Sequence, residues 1–155
     1  MRQIRKDTGW FDGRWERTDE RQDIRRQWEQ LLNLSKFLSE KERAFLEAVA
    51  EQGGRISRLA RLTRRSPTSL RRRMHDIARR LLGWELRTMI DHPHAFSSFE
   101  MACLREHRIR KRPLARIAED LGATVYEVRK CLAAARTKSE GLRKPTASGQ
   151  CKKLG

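Results

Sequence analysis

Ile117-Ala-Glu-Asp-Leu-Gly-Ala-Thr-Val-Tyr-Glu-Val128 is the most informative stretch of the 155-residue chain. Ile117, Ala118 and Leu121 fall on one helical face, and with Leu114 they predict a short helix opened by Pro113. Gly122 follows, a residue suited to the left-handed conformation in which helices often end. Thr124 and Glu127 then have the spacing of a capping box, in which hydroxyl and carboxylate each accept an orphan amide of a new helix. In that helix Val128, Cys131 and Leu132 should point inward, leaving Thr124, Val125, Tyr126, Arg129, Lys130 and Ala133 outward. Upstream, Ser97-Ser-Phe-Glu100 is a further capping box, for a helix through Phe99, Cys103 and Leu104.

Moving toward the N-terminus, the same order is found again. Ser39-Glu-Lys-Glu42 is a capping box, Phe45, Leu46, Val49 and Ala50 make an apolar stripe, and Gly53-Gly54 ends that helix. A short helix over 56–63 should bury Ile56, Leu59, Ala60 and Leu62. Arg64-Arg65-Ser66 makes the turn, with Ser66 as N-cap and Pro67 at the first helical position, where its missing N–H costs nothing. The next helix should bury Leu70, Met74, Ile77 and Leu81 and expose Thr68, Arg71, Arg72 and His75. Ala60 and Ala118 hold matching places, where crossing helices leave no room for a longer side chain, and the inward Leu70 and Val128 each lie ten residues further on.

The expected fold class is therefore all-α: two trihelical modules preceded by an amphipathic helix, about seven helices in total. The expected divisions are a charged, aromatic leader over 1–18, an amphipathic helix over 19–37, modules over 38–82 and 97–137, a linker over 83–96 sealed by Trp84 and Phe96, and a disordered basic tail over 138–155. Ile24, Trp28, Leu31 and Leu32 supply the apolar face of the amphipathic helix.

Charge is distributed unevenly. The net charge is +16, from 36 basic and 20 acidic side chains. Residues 1–54 balance at 11 and 11, 55–90 carry 11 basic and 2 acidic, 91–103 carry only 2 acidic, and 104–155 carry 14 and 5. Clustering of this kind marks a polyanion-binding surface, whereas a surplus serving solubility would be spread along the chain. Of the basic residues 27 are Arg and 9 Lys, and the guanidinium group binds phosphates and guanine edges bidentately.

Residues 117–128 resemble the general bacterial helix-turn-helix pattern, which extends over 113–135. Residues 38–82, with Leu-Ser-Glu-Lys-Glu-Arg-Ala-Phe-Leu near their start and Arg64-Arg65-Ser66-Pro67 at the turn, resemble the promoter-reading fourth region of RNA polymerase sigma factors, Arg64 standing where a glycine is usual. No segment resembles the helical region with which sigma factors bind the polymerase clamp. The resemblance implies duplex DNA as partner, the last helix of each module in a major groove, and transcriptional regulation in a bacterial or phage cytoplasm, at the nucleoid. It implies as contacts Arg64, Arg65, Ser66, Thr68, Arg71, Arg72 and His75 in the first module, and Arg112, Arg116, Thr124, Val125, Tyr126, Arg129 and Lys130 in the second, with Arg58, Arg61, Arg64, Arg65, Arg112 and Arg116 on the phosphate backbone. The rival expectation is an assembly or adaptor protein of a transcription, packaging or recombination complex. In it one module holds a protein such as RNA polymerase, and Trp10, Trp15 and Trp28 serve as anchors.

Enzymatic activity is not expected, for the chain lacks G-x-x-x-x-G-K-[ST], H-E-x-x-H and G-x-S-x-G. No cofactor is expected. Three cysteines, Cys103, Cys131 and Cys151, without a C-x-x-C pair, read as reduced thiols in or near a core. His92, His94, Cys103 and His107 are close enough in sequence to suggest zinc, but Cys103 falls on an inward stripe and His92-Pro-His94 reads as a turn. No apolar run reaches membrane-spanning length, and the basic start has no apolar stretch behind it, so neither a membrane partner nor a secretion signal is expected.

Overall fold

The computed structural model describes residues 18–143, all of whose regular structure is helical. The chain divides into two compact units at Gly83 and Trp84. The first contains α1 (Thr18–Leu34), a 3-10 turn (Ser35–Phe37), α2 (Glu40–Glu51), α3 (Ile56–Thr63) and α4 (Pro67–Leu81). The second contains α5 (Trp84–Asp91), a 3-10 turn (Pro93–Ala95), α6 (Ser98–Leu104), which runs on through a π turn at Arg105–Ile109, then α7 (Leu114–Leu121) and α8 (Val125–Leu142). The expectations for 1–17, including Trp10 and Trp15, and for Cys151 fall outside the described residues.

The two units follow one plan, displaced by 58 residues. Ser97 lies 58 residues after Ser39, and each is the residue before a helix. At the same displacement stand the starts of the two 3-10 turns, Ser35 and Pro93, and of α3 and α7, Ile56 and Leu114. The cores match as well: Leu46 with Leu104, Leu59 with Ile117, Ala60 with Ala118, Leu70 with Val128, and Met74 with Leu132, all buried. Each unit is clasped by an ion pair between partners 38 residues apart, the Glu near the start of its second helix taking a cation near the end of its last. Arg80 donates to Glu42 at 2.5 and 3.2 Å, and Lys138 donates to Glu100 at 2.9 and 2.8 Å.

This plan changes several expectations. The 83–96 linker is a helix and a 3-10 turn of the second unit: Leu86 and Met89 of α5 are buried, as is Phe96, which packs in that unit's core with Cys103 and Ile117. Alpha5 is thus the counterpart of the C-terminal half of α1, whose Leu31 is fully buried and which packs against α2 and α4. Each unit accordingly has a fourth helix beside the expected three. Residues 138–142 of the expected tail belong to α8, because Lys138 reaches Glu100 and the buried Ser139 hydroxyl donates to the Ala135 carbonyl at 2.8 Å.

Two local expectations also change. Leu62 does not enter the core; it is 65% exposed, one residue round the α3 cylinder from the buried face. The Ser39 capping box does not close, since the Ser39 hydroxyl makes no cap bond and the Glu42 carboxylate turns to Arg80 instead. At Ser97 and Thr124 the boxes form in full, with Ser97 Oγ accepting from Glu100 N at 3.1 Å and Thr124 Oγ1 from Glu127 N at 3.2 Å. Thr124 also donates to the Glu127 carboxylate from its backbone amide at 2.7 Å and its hydroxyl at 3.0 Å, and these bonds, the amide foremost, hold the Glu127 carboxyl below its ordinary value.

Candidate nucleic-acid interface

In each unit an eight-residue helix is followed by a two-residue hinge, an N-cap and a longer helix. The hinge requires a left-handed residue, and the units fill it differently: Arg64 at φ 53, ψ 37 in the first, Gly122 at φ 64, ψ 33 in the second. The amide after it donates back into the helix in the same manner, Arg65 N to Ala60 O at 3.1 Å and Ala123 N to Ala118 O at 2.9 Å. An arginine in the place of glycine therefore leaves the corner's geometry intact. These corners present the beginnings of α4 and α8.

At the first corner Arg64, Arg65, Ser66, Thr68, Arg72 and His75 are all exposed, while Arg71 is half-buried. Arg58 and Arg61 are exposed on α3. Ser57, Ala60, Arg61, Arg64, Arg65 and Pro67 line an open recess of about 370 Å³ between α3 and the start of α4. Ser66 holds the N-cap position, but its side chain makes no cap hydrogen bond at the start of α4. Other basic residues of α4 are engaged within the unit. Arg73 lies 4.5 Å from the Phe45 ring centroid, Arg79 pairs with Asp76 at 3.1 Å, and the side chain of Arg80 is only 7% exposed beneath Glu42.

The second corner carries a different surface. Thr124, Tyr126, Arg129 and Lys130 are exposed on α8, Tyr126 at 72%. Val125 is half-buried against the unit's core, contrary to its expected outward position, because the first turn of α8 folds down over α7. Arg112, expected on the backbone of DNA, is held between two carboxylates of its own unit: Glu106 at 3.2 Å and Asp120 at 2.5 Å. Those two hydrogen-bonded partners raise its pKa further above that of a free guanidinium. Glu106 is buried at the π turn and also takes Arg105 at 3.1 Å and Arg110 at 2.8 Å, so a carboxylate that would be costly alone is neutralised by three cations. Arg116 pairs with Glu119 at 3.1 Å on the surface. Helical spacing signals Arg116 with Glu119 and Arg110 with Glu106, but no local pattern signals the Arg112 pairings or Ser57 as a lining residue of the recess.

The zinc constellation is not assembled. Cys103 is fully buried, and burial raises its thiol pKa; burial and the neighbouring Cys103 thiol push Cys131 up to about 12. Both remain protonated thiols at neutral pH, unlike the thiolates that bind metals. His107 Nδ1 lies 3.4 Å from the Arg112 carbonyl oxygen. Trp28, an expected partner anchor, packs within its own unit, where a Cβ at Gly54 would lie 3.1 Å from the indole. Among the described residues no helix is long and apolar enough to cross a membrane. Comparisons with protein-family models, with curated proteins and with solved structures find no match for this chain.

Proposed function

We propose that this protein binds duplex DNA in a sequence-specific manner through tandem helix-turn-helix units, and that it regulates transcription as a sigma-factor-like or related regulator. The observation that carries the reading is the pair of corners: the same eight-residue helix, left-handed hinge and longer helix occur twice, the first bordered by exposed Arg64, Arg65 and Arg72 and the second by exposed Arg129 and Lys130. In this reading α4 and α8 enter major grooves. Arg72, His75, Tyr126, Arg129 and Lys130 face base edges or sugars, and Ser66 and Thr68 the flanking phosphates, while Thr124 is taken up in the α8 cap by Glu127. Arg71, half-buried at the margin of α4, borders that face. Arg112 acts within its own unit, joining the π turn at Glu106 to α7 at Asp120, and Arg116 pairs with Glu119 on the surface of α7.

A second reading has one observation in its favour. The acidic Glu119 and Asp120 on α7 neutralise Arg116 and Arg112 beside the exposed Tyr126, a surface better suited to a protein than to a polyanion. In that case the first unit holds DNA and the second holds a protein partner of an assembly.

Selection of bound duplexes from a random pool at about 150 mM salt separates the readings. Two recovered sequence blocks mean that both units read. One block, lost with Arg72→Ala but not with Arg129→Ala, means that the second unit has another partner. If both units read, Arg129→Ala costs about 1 to 3 kcal/mol on the selected site and relaxes preference at one base pair. Equal loss on every sequence removes Arg129 from the readers.

A further inference from the structure

The two corners agree in backbone and disagree in charge, and the disagreement is confined to positions that matter for an anion. At the 58-residue displacement the residues lining the first recess, Ser57, Ala60, Arg61, Arg64, Arg65 and Pro67, become Ala115, Ala118, Glu119, Gly122, Ala123 and Val125. Three arginines are replaced by one glutamate, a glycine and an alanine. The starts of the following helices differ in the same sense. Alpha8 supplies its own anion, since the Glu127 carboxylate accepts from the Thr124 amide at 2.7 Å, whereas the Ser66 side chain makes no cap hydrogen bond to α4. A carboxylate in that position already satisfies the partial positive charge of the helix start and repels a second anion. At α4 the Ser66 side chain leaves that place uncapped, and three arginines line the recess beside it; Arg61, Arg64 and Arg65 are exposed and join no ion pair among the described residues.

We infer that the Arg61, Arg64 and Arg65 recess at the α3–α4 corner is the seat for the phosphodiester backbone of duplex DNA, and that the α7–α8 corner takes no phosphate. The inference rests on the duplex-binding reading and deepens it. Affinity and salt dependence come mainly from the first unit, and the second contributes through the α8 face. The left-handed Arg64 has a part in this: a hinge that glycine would occupy without strain carries a cation directly over the recess.

The test is the salt dependence of binding by the full chain to a mixed-sequence duplex. The slope of log affinity against log salt changes by about 0.9 for each phosphate neutralised on B-form DNA. The variant Arg61→Gln/Arg64→Gly/Arg65→Gln should therefore flatten the slope by about 2 to 3 and weaken binding at least tenfold at low salt. The Arg64→Gly component retains the hinge, and a cooperative melt at or above the temperature of the unsubstituted chain checks folding; Arg65→Gln alone, expected to flatten the slope by about 1, serves if the triple variant is unstable. The comparison variant removes three exposed arginines of the second unit, Arg87→Gln/Arg136→Gln/Arg143→Gln, and should change the slope by less than about 1. Equal flattening by the two triple variants overturns the inference in favour of diffuse attraction, while leaving duplex binding intact. Absence of salt-dependent duplex binding by the unsubstituted chain overturns the duplex reading and the inference with it.

Discussion

The α3–α4 and α7–α8 corners share their hinge torsions and hydrogen bonds, yet one is lined by arginines and the other by Glu119, Gly122 and Ala123. The comparison separates what the fold requires from what a surface is free to vary. Required are a small residue at Ala60 or Ala118, a left-handed hinge, and an ion pair across the unit. The side chain carried by the hinge is not fixed. The second left-handed position shows the reverse assignment: Gly53 at φ 67 in the first unit is matched by Lys111 at φ 55 in the second. At these two matched left-handed sites each unit places one glycine and one basic residue, in opposite order, and the first unit adds a further left-handed glycine at Gly54.

The largest expected break in this symmetry lies in the cores. Ile77 is fully buried in the first unit, and its counterpart is the fully buried Ala135. Ile77→Ala should cost about 2 to 5 kcal/mol, because the unit closes incompletely around the lost volume. Ala135→Ile should cost about 1 to 3 kcal/mol by overpacking. Urea unfolding followed separately for the two units checks both, and equal tolerance of either residue at either site would deny that the cores are distinct. Next in size is Gly54→Ala, at about 1 to 3 kcal/mol, since φ is +76 and the added methyl meets the Trp28 indole at 3.1 Å.

The second unit's clasp should respond to pH. Burial pushes the Glu100 carboxyl up, but the Lys138 hydrogen bond and charge, with the Ser97 amide and hydroxyl, together outweigh it and hold the group below its ordinary value. A carboxyl lowered by folding contributes stability that is present above its unfolded value and is lost as pH falls through its folded value. The melting temperature of the second unit should therefore fall between neutral pH and about pH 3, and Glu100→Gln should lower it at neutral pH while flattening that acid limb. An acid limb unchanged by Glu100→Gln would assign the loss to other carboxylates.

Caps give a smaller contrast of the same kind. Ser97→Ala and Thr124→Ala should each cost about 1 kcal/mol, because both hydroxyls accept a helix amide. Ser39→Ala and Ser66→Ala should cost a few tenths, since neither makes a cap bond. Thermal melts of the four variants decide; equal losses would mean that the Ser39 and Ser66 hydroxyls cap their helices in solution.

What the sequence revealed depended on how local the determining contact was. The α7–α8 corner was legible because Gly122, Thr124 and Glu127 specify it within a few residues, and the α3–α4 corner because Leu59, Ala60, Leu70 and Met74 keep the helical period without a glycine. Alpha5 was missed: only Leu86, Thr88 and Met89 are buried in its eight residues, and the packing that orders it comes from α8, far along the chain. The end of α8 was read as tail for the same reason, since Lys138 is fixed by Glu100, 38 residues away. Arg112 was assigned to DNA because Glu106 and Asp120 meet it only after the π turn brings the chain round. Arg61, Arg64 and Arg65 make no ion pair among the described residues, so nothing claims them as Glu106 and Asp120 claim Arg112.

The smallest effect tests the hinge itself. Arg64→Gly relieves a left-handed side chain, worth about 1 kcal/mol, but loosens the unfolded chain, which takes back about half of that. The net gain expected in a thermal melt is about 0.5 kcal/mol. Gly122→Ala should lose about the same, since nothing lies within 4 Å of the added methyl and only the torsion resists it. Binding should move oppositely to stability at position 64, where Arg64→Gly flattens the salt slope by about 0.9 while raising the melting temperature. A variant that becomes both more stable and no weaker in its salt dependence would leave the arginine at that hinge without a role in holding phosphate. A variant that becomes more stable and less salt-dependent would show strain retained at the corner for the sake of a charge.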